Sequence, residues 1–200
     1  IVGFVNAHPK EIVFIELGQF KYMKEEDHVW LAGYLKGKFG RKLIHKPDKG
    51  VHMTVGEAWK KNESVILFYN SRAPNDDSFW SECDRINSYE DVATIEAVYD
   101  YLNKGIVDRN NDAMDSHCNN RNKDRFLLNK AQPTVFGAGP PLTNLGANVE
   151  EVSKKVNPKV LEWISGWPKR DINIIALDFF QNCDFVNTVI NLNSQLKEKN

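Results

Sequence analysis

The chain has 200 residues, 42% hydrophobic and 26% charged, with a formal net charge of −1. That is long and apolar enough to bury a core. The near-neutral charge, without a basic run or stacking motif, argues against a nucleic-acid surface, and no stretch approaches the roughly 18 apolar residues of a membrane span.

The sequence starts without Met, and Ile1-Val2-Gly3-Phe4-Val5 reads as the tail of a helix already under way, so a further segment is expected upstream. His8-Pro9 stops that helix, because a proline ring disfavours helical backbone in the residue before it. Residues 11–17 (EIVFIEL) read as the first strand. Residues 24–39 place Leu31, Leu35 and Phe39 at four-residue spacing, an amphipathic helix ended by Gly40. Thr54 and Glu57 form a T-x-x-E capping box for a short helix through Trp59. Residues 65–69 (VILFY) are the second strand. Ser88 is expected to open another helix with Val92, Ile95, Val98 and Leu102 on one face.

Residues 105–124 are polar and read as an exposed insertion. Residues 126–131 are a weaker third strand, and residues 133–148, rich in Pro and Gly, a long loop over one end of the sheet. Asn157-Pro158 reads as a cap followed by proline at the first helical position, leading a helix through Trp163. Residues 171–180 (DINIIALDFF) form an Ile-rich run closed by an acid, a strand buried on both faces. Its Asp178 is expected at the strand's C-terminal end, where parallel α/β sheets place their chemistry. A closing helix turns Phe185, Val189, Leu192 and Leu196 inward.

Three cysteines, Cys83, Cys118 and Cys183, give neither a CxxC nor a zinc spacing. They are either buried thiols or, in a secreted protein, an internal pair plus a third partnered elsewhere. Asn62-Glu63-Ser64 is a glycosylation acceptor pattern in a polar turn, which favours an extracellular, secreted origin over the cytoplasmic alternative. Asp108, Asp112 and Asp115 miss the calcium-loop spacing and lack its Gly and closing Glu, so they read as a solvated loop.

Four strands alternating with helices imply parallel βα units of an α/β fold. Four units could make a small open sheet. They are also the C-terminal half of a TIM-like (β/α)8 barrel, which usually runs to about 250 residues, and a half leaves open edges that a missing or separate N-terminal segment must complete.

Several segments in order resemble the C-terminal part of the X-domain of phosphatidylinositol-specific phospholipase C, in its X-domain-only form. They are His8-Pro9-Lys10-Glu11-Ile12-Val13 running into Phe14-Ile15-Glu16, Glu25-Glu26-Asp27-His28, and Thr54-Val55-Gly56-Glu57-Ala58-Trp59. Later come Asn157-Pro158-Lys159-Val160-Leu161-Glu162-Trp163, residues 174–180, and Asp184-Phe185-Val186 with Val189-Ile190-Asn191-Leu192-Asn193. The resemblance implies that residues 1–200 are the C-terminal part of a single barrel domain that cleaves a phosphodiester with two histidines, both upstream of this chain. His8 and His28 match positions that are structural in the family, and His45, His52 and His117 stand in no matching motif. Asp178 falls on the family's last-strand aspartate, which orients a catalytic histidine as the aspartate of a Ser-His-Asp triad does. Glu16 occupies an acidic strand position common in the X-domain-only relatives, and Tyr69 and Asn129 sit at strand ends where the family places groups that face the inositol ring, so all three are expected to bind substrate. No cofactor is expected. Calcium stays an alternative, but the place of the family's metal-binding carboxylate is Gly18 here.

The expected function is therefore a phospholipase C-like phosphodiesterase. Its partners are the rest of the same protein and a phospholipid or inositol phosphodiester at a membrane surface. The alternatives are a catalytically inactive barrel that binds or supports, and another TIM-like hydrolase using Glu16 and Asp178 as paired carboxylates.

Overall fold

Two parallel strands, β1 (Val13–Leu17) and β2 (Val65–Tyr69), pair in register from Val13 opposite Val65 to Leu17 opposite Tyr69. The computed structural model describes residues 1–46, 50–71, 76–92, 94–133, 148–168 and 171–197. The chain divides into two units, Ile1–Arg85 and Ile86–Asn200.

In the first unit the period-2 alternation of the strands sorts the side chains. Val13, Ile15 and Leu17 join Val65, Leu67 and Tyr69 on one face, packed with Val5, Ala32 and Phe39 from the helices. Phe14, Glu16 and Phe68 take the other face, Phe14 and Phe68 stacked at 6.4 Å. The helices are α1 (Val2–Ala7), α2 (Glu25–Phe39) and α3 (Val55–Lys61). Helix α2 starts on three acids, Glu25, Glu26 and Asp27, and ends on Lys36 and Lys38, charges that suit its macrodipole. It stops at Gly40, whose φ of +50° suits a residue without a Cβ. The expected capping box of α3 is present: Thr54 Oγ1 accepts the Glu57 N–H at 3.2 Å and Glu57 Oε2 accepts the Thr54 N–H at 2.8 Å.

The second sheet runs β3-β6-β7, where β3 is Arg85–Ser88, β6 is Phe126–Lys130 and β7 is Ile174–Ala176. Strand β6 lies parallel to β7, with Asn129 opposite Ile175. Between β3 and β6 come α4 (Ile95–Asn110) and an antiparallel pair, β4 (Met114–Asp115) and β5 (Asn120–Arg121). Helix α5 (Val149–Gly166) precedes β7, and α6 (Phe185–Lys197) closes the chain. The core of this unit is built by Val98, Tyr101, Leu102 and Ile106 of α4 and Val152, Val156, Val160 and Ile164 of α5, with Leu127 among them. Among the described residues no helix is long and apolar enough to cross a membrane.

The mixed α/β class with parallel pairing agrees with the sequence reading; four details do not. Residues 85–88 are a strand, and the helix expected from Ser88 begins at Ile95, where Thr94 Oγ1 accepts the Ala97 N–H at 3.1 Å. Ser88 is buried instead, donating its hydroxyl to the Tyr101 carbonyl at 2.7 Å. The polar insertion expected at 105–124 starts later, because α4 runs on to Asn110. Gly105 is needed inside that helix: a Cβ there would stand 2.6 Å from Ser88 Oγ. Residues 111–124 then hold the small hairpin, pinned by Asp112 to Arg121 and Lys123 at 2.9 Å each and by Asp115 to Arg125 at 2.7 Å.

Asn157-Pro158 is not a helix start. Both residues sit inside α5, whose cap is Asn148, its side chain accepting the Glu151 N–H at 3.0 Å. A proline inside a helix removes one backbone hydrogen bond, and the buried apolar face from Val152 to Ile164 carries the helix through it. The last strand is shorter than residues 171–180, ordered as strand only over Ile174–Ala176. Of the closing helix, Phe185 and Leu192 pack on the core as expected. The side chain of Leu196 and residues 134–147 of the expected loop lie outside the described residues.

Candidate active site

Parallel pairing puts the C-terminal ends of β6 and β7 on one edge of their sheet. Asp178 lies just past the end of β7, and Gln132 just past the end of β6. Asp178 Oδ1 accepts a hydrogen bond from Gln132 Nε2 at 2.8 Å. Its main chain is held too: Asn157 Nδ2 donates to the Asp178 carbonyl at 2.9 Å and to the Phe179 carbonyl at 3.3 Å. Asn157 is 1% exposed. Phe179 has a φ of +50°, left-handed backbone that a residue with a Cβ adopts only when its surroundings enforce it. The half-buried carboxylate is thus fixed by side-chain and main-chain bonds, yet its side-chain partner is a neutral amide, so its charge is not cancelled. Among the described residues no histidine bonds it.

Asn129, also on β6, is 1% exposed, and neither its Oδ1 nor its Nδ2 has a partner among the described residues. Leaving an amide unsatisfied in this way costs about 1–3 kcal/mol.

In the first unit Glu16 sits near the C-terminal end of β1. Its Oε1 accepts from Arg85 Nη2 at 2.7 Å and from Asn70 Nδ2 at 3.1 Å. Arg85 is buried, and its guanidinium lies 5.8 Å from the centre of the Phe68 ring. The neighbouring pair Lys46 and Asp84 is bonded at 2.5 Å. At Gly18 a Cβ would stand 3.0 Å from Asn70 Nδ2, so a larger residue there would push the Asn70 side chain aside. Two residues before Gly18, the Glu16 carboxylate already faces an arginine. Among the described residues no group of three or more His, Cys, Asp or Glu side chains is placed to hold a metal.

Tyr69, expected to face the substrate, belongs to the core. It is 2% exposed, shares a 2.8 Å hydrogen bond between its hydroxyl and His28 Nδ1, and stacks on Phe20 at 4.7 Å. Burial pushes its phenol above the usual tyrosine value. The physical reason is strand parity: Glu16 and Tyr69 lie on opposite faces of the β1–β2 sheet. Asn62 sits where the sequence places it, in the turn ending α3, exposed, with a φ of +60° and its Oδ1 accepting from Lys42 Nζ at 2.7 Å.

Three residues of these clusters went unread in the sequence. Gln132 falls between the expected strand at 126–131 and the Pro- and Gly-rich stretch from 133, where no periodic signal marks it. Asn157 precedes a proline and so imitates a cap. Arg85 stands in a polar strand, RINS, whose alternation is too short to detect.

No protein-family model matches the chain. Comparison with curated proteins gives a consistent set of relatives. PI-PLC X domain-containing protein 3 of Mus musculus is 25% identical over 207 residues, covering 99% of this chain and 59% of that protein. PI-PLC X domain-containing protein 2 of the same species is 25% identical over 205 residues, 100% of this chain and 56% of the relative. PI-PLC X domain-containing protein 1 of Mus musculus is 28% identical over 217 residues, 98% of this chain and 53% of the relative. The chain is therefore related to the PI-PLC X domain-containing proteins along almost its whole length. It spans a little over half the length of the curated relatives it matches.

Proposed function

We propose that the chain is part of a phospholipase C-like phosphodiesterase. In this reading the parallel sheets are the later strands of a TIM-like barrel, and the earlier strands and both catalytic histidines come from outside these 200 residues. Two observations favour a further segment: the relatives are longer, and apolar side chains stand open to solvent at both ends of the chain. Ile1 is 68% exposed and Phe4 49%, while Val186 and Ile190, one turn apart on α6, are 54% and 58% exposed.

The observation that carries the proposal is Asp178, held at a strand end by Gln132 while Asn157 fixes its backbone. Such a carboxylate orients an imidazole and stabilises its protonated form. One histidine then takes the proton of the attacking hydroxyl and the other protonates the leaving oxygen. In the second unit Asn129 has an unspent amide suited to a hydroxyl of a cyclic polyol head group, and in the first unit Glu16 is taken as a hydroxyl-binding group on its sequence position. Tyr69 has no part in this scheme. The substrate would be a phospholipid or inositol phosphodiester met at a membrane surface.

The test is the full-length protein and its Asp178→Asn variant, assayed on vesicles containing phosphatidylinositol. Turnover by the parent and its collapse in the folded variant support the proposal. Equal rates remove Asp178 from the mechanism, and no turnover in either favours a barrel that is inactive.

A further inference from the structure

Asn62-Glu63-Ser64 is the one Asn-x-Ser/Thr triplet in the sequence, and the phosphodiesterase reading makes no use of it. The fold treats its two ends differently. Asn62 projects from the turn after α3 in left-handed backbone, and among the described residues its side chain is engaged only through Oδ1, by Lys42. A glycan bonded to Nδ2 leaves that oxygen free to keep accepting, so the turn accommodates the sugar without losing its contact. Ser64 is 0% exposed, and its Oγ has no hydrogen-bond partner among the described residues. Its backbone does the structural work, accepting from Val13 N at 2.8 Å and donating to the Lys42 carbonyl at 2.9 Å. A buried hydroxyl that bonds nothing is a cost to the fold, whereas a hydroxyl two residues after the asparagine is what N-glycosylation requires. A separate observation points to the same compartment: Cys83 and Cys118 are disulfide-bonded and Cys183 is free, and disulfides persist where the surroundings are oxidising.

We infer that Asn62 carries an N-linked glycan, attached in an oxidising secretory compartment before the first unit folds. The order follows from burial: once β2 is in place, Ser64 is out of reach of any transferase. In the transfer, the amide Nδ2 forms a bond to C1 of an oligosaccharide held on a lipid pyrophosphate. The C1–oxygen bond breaks, the lipid pyrophosphate departs, and the amide proton goes to a base of the transferase.

The experiment expresses the full-length protein from its own coding sequence in a eukaryotic secretory cell and follows its mass with and without peptide N-glycosidase. The expected result is a glycosidase-sensitive mass increase that both Asn62→Gln and Ser64→Ala abolish. Ser64→Ala should unfold no earlier than the enzymatically deglycosylated parent, because the hydroxyl it removes bonds nothing. If Ser64→Ala fails to accumulate, Asn62→Gln at its exposed turn gives the same reading. Folded, unglycosylated protein offered afterwards to microsomal transferase should stay unmodified. A parent without glycan overturns the inference, as does one that persists in both variants, and modification of the folded chain overturns the order of events. None of these readings depends on phosphodiesterase activity.

Discussion

Glu16 and Asp178 are both acids near the C-terminal ends of parallel strands, and the two units treat them differently. Glu16 faces the guanidinium of a buried arginine at 2.7 Å. Among the described residues the Asp178 side chain bonds only the neutral amide of Gln132, at 2.8 Å, and its backbone is clamped by Asn157. An ion pair spends a carboxylate's charge where it stands. A neutral amide fixes the direction of a carboxylate while leaving that charge for another cation, such as an imidazolium. In the proposed phosphodiesterase reading the first acid anchors Arg85 and the head group, and the second supports acid–base chemistry.

Turnover separates the two acids most sharply. In the full-length protein Asp178→Asn should lower the rate by about 10³–10⁴-fold, the scale seen when a triad aspartate is neutralised. Asn can still accept from Gln132, so the melting temperature should hardly move. Glu16→Gln should cost far less in rate, and equal losses for the two variants would erase the distinction. Next comes Asn157→Ala, which strips the Asp178 and Phe179 carbonyls of this donor and should reduce stability by about 1–3 kcal/mol in denaturant titration. The rate should fall with it, because Phe179 is then free to leave its left-handed conformation.

Arg85→Met tests the other side. It leaves Glu16 facing no arginine, and since that carboxylate is 37% exposed the cost should be only about 1–2 kcal/mol. Adding Glu16→Gln should recover part of it, and strictly additive losses would mean that the pair is not coupled. The smallest expected effect concerns acid stability in the first unit. The Lys36 ammonium and the Ser78 hydroxyl bond Asp76 and hold its carboxyl at about 2, below the ordinary value of about 3.9. A depressed folded value contributes stability above the ordinary one, and this is lost as pH falls from about 4 toward 2. Asp76→Asn should flatten the unfolding curve in that window only, and a change confined to neutral pH would contradict the assignment.

Much of this arrangement was legible in the sequence because it follows from local rules. The strand at 65–69, the Thr54–Glu57 box, the Gly40 stop and the Ile-rich run before Asp178 each carry their own signal. What escaped depends on pairing between distant segments. Arg85–Ser88 is a strand only because β6 lies beside it. Gln132 has meaning only once Asp178 is brought next to it. Tyr69 misled because strand parity decides which face a residue takes, and a strand buried on both faces gives no sign of which face is the site. Asn157 misled because Asn-Pro is a common helix start, while here α5 accepts the proline to place a buried amide under the Asp178 turn.

The central claim is that Asp178 serves a histidine from outside these 200 residues, and an experimental structure of the full-length protein tests it most directly. The account predicts an imidazole nitrogen within about 2.6–3.2 Å of the Asp178 carboxylate, with Gln132 still bonded to its Oδ1. Asp178 bonded to Gln132 alone, with no imidazole within reach, would contradict it.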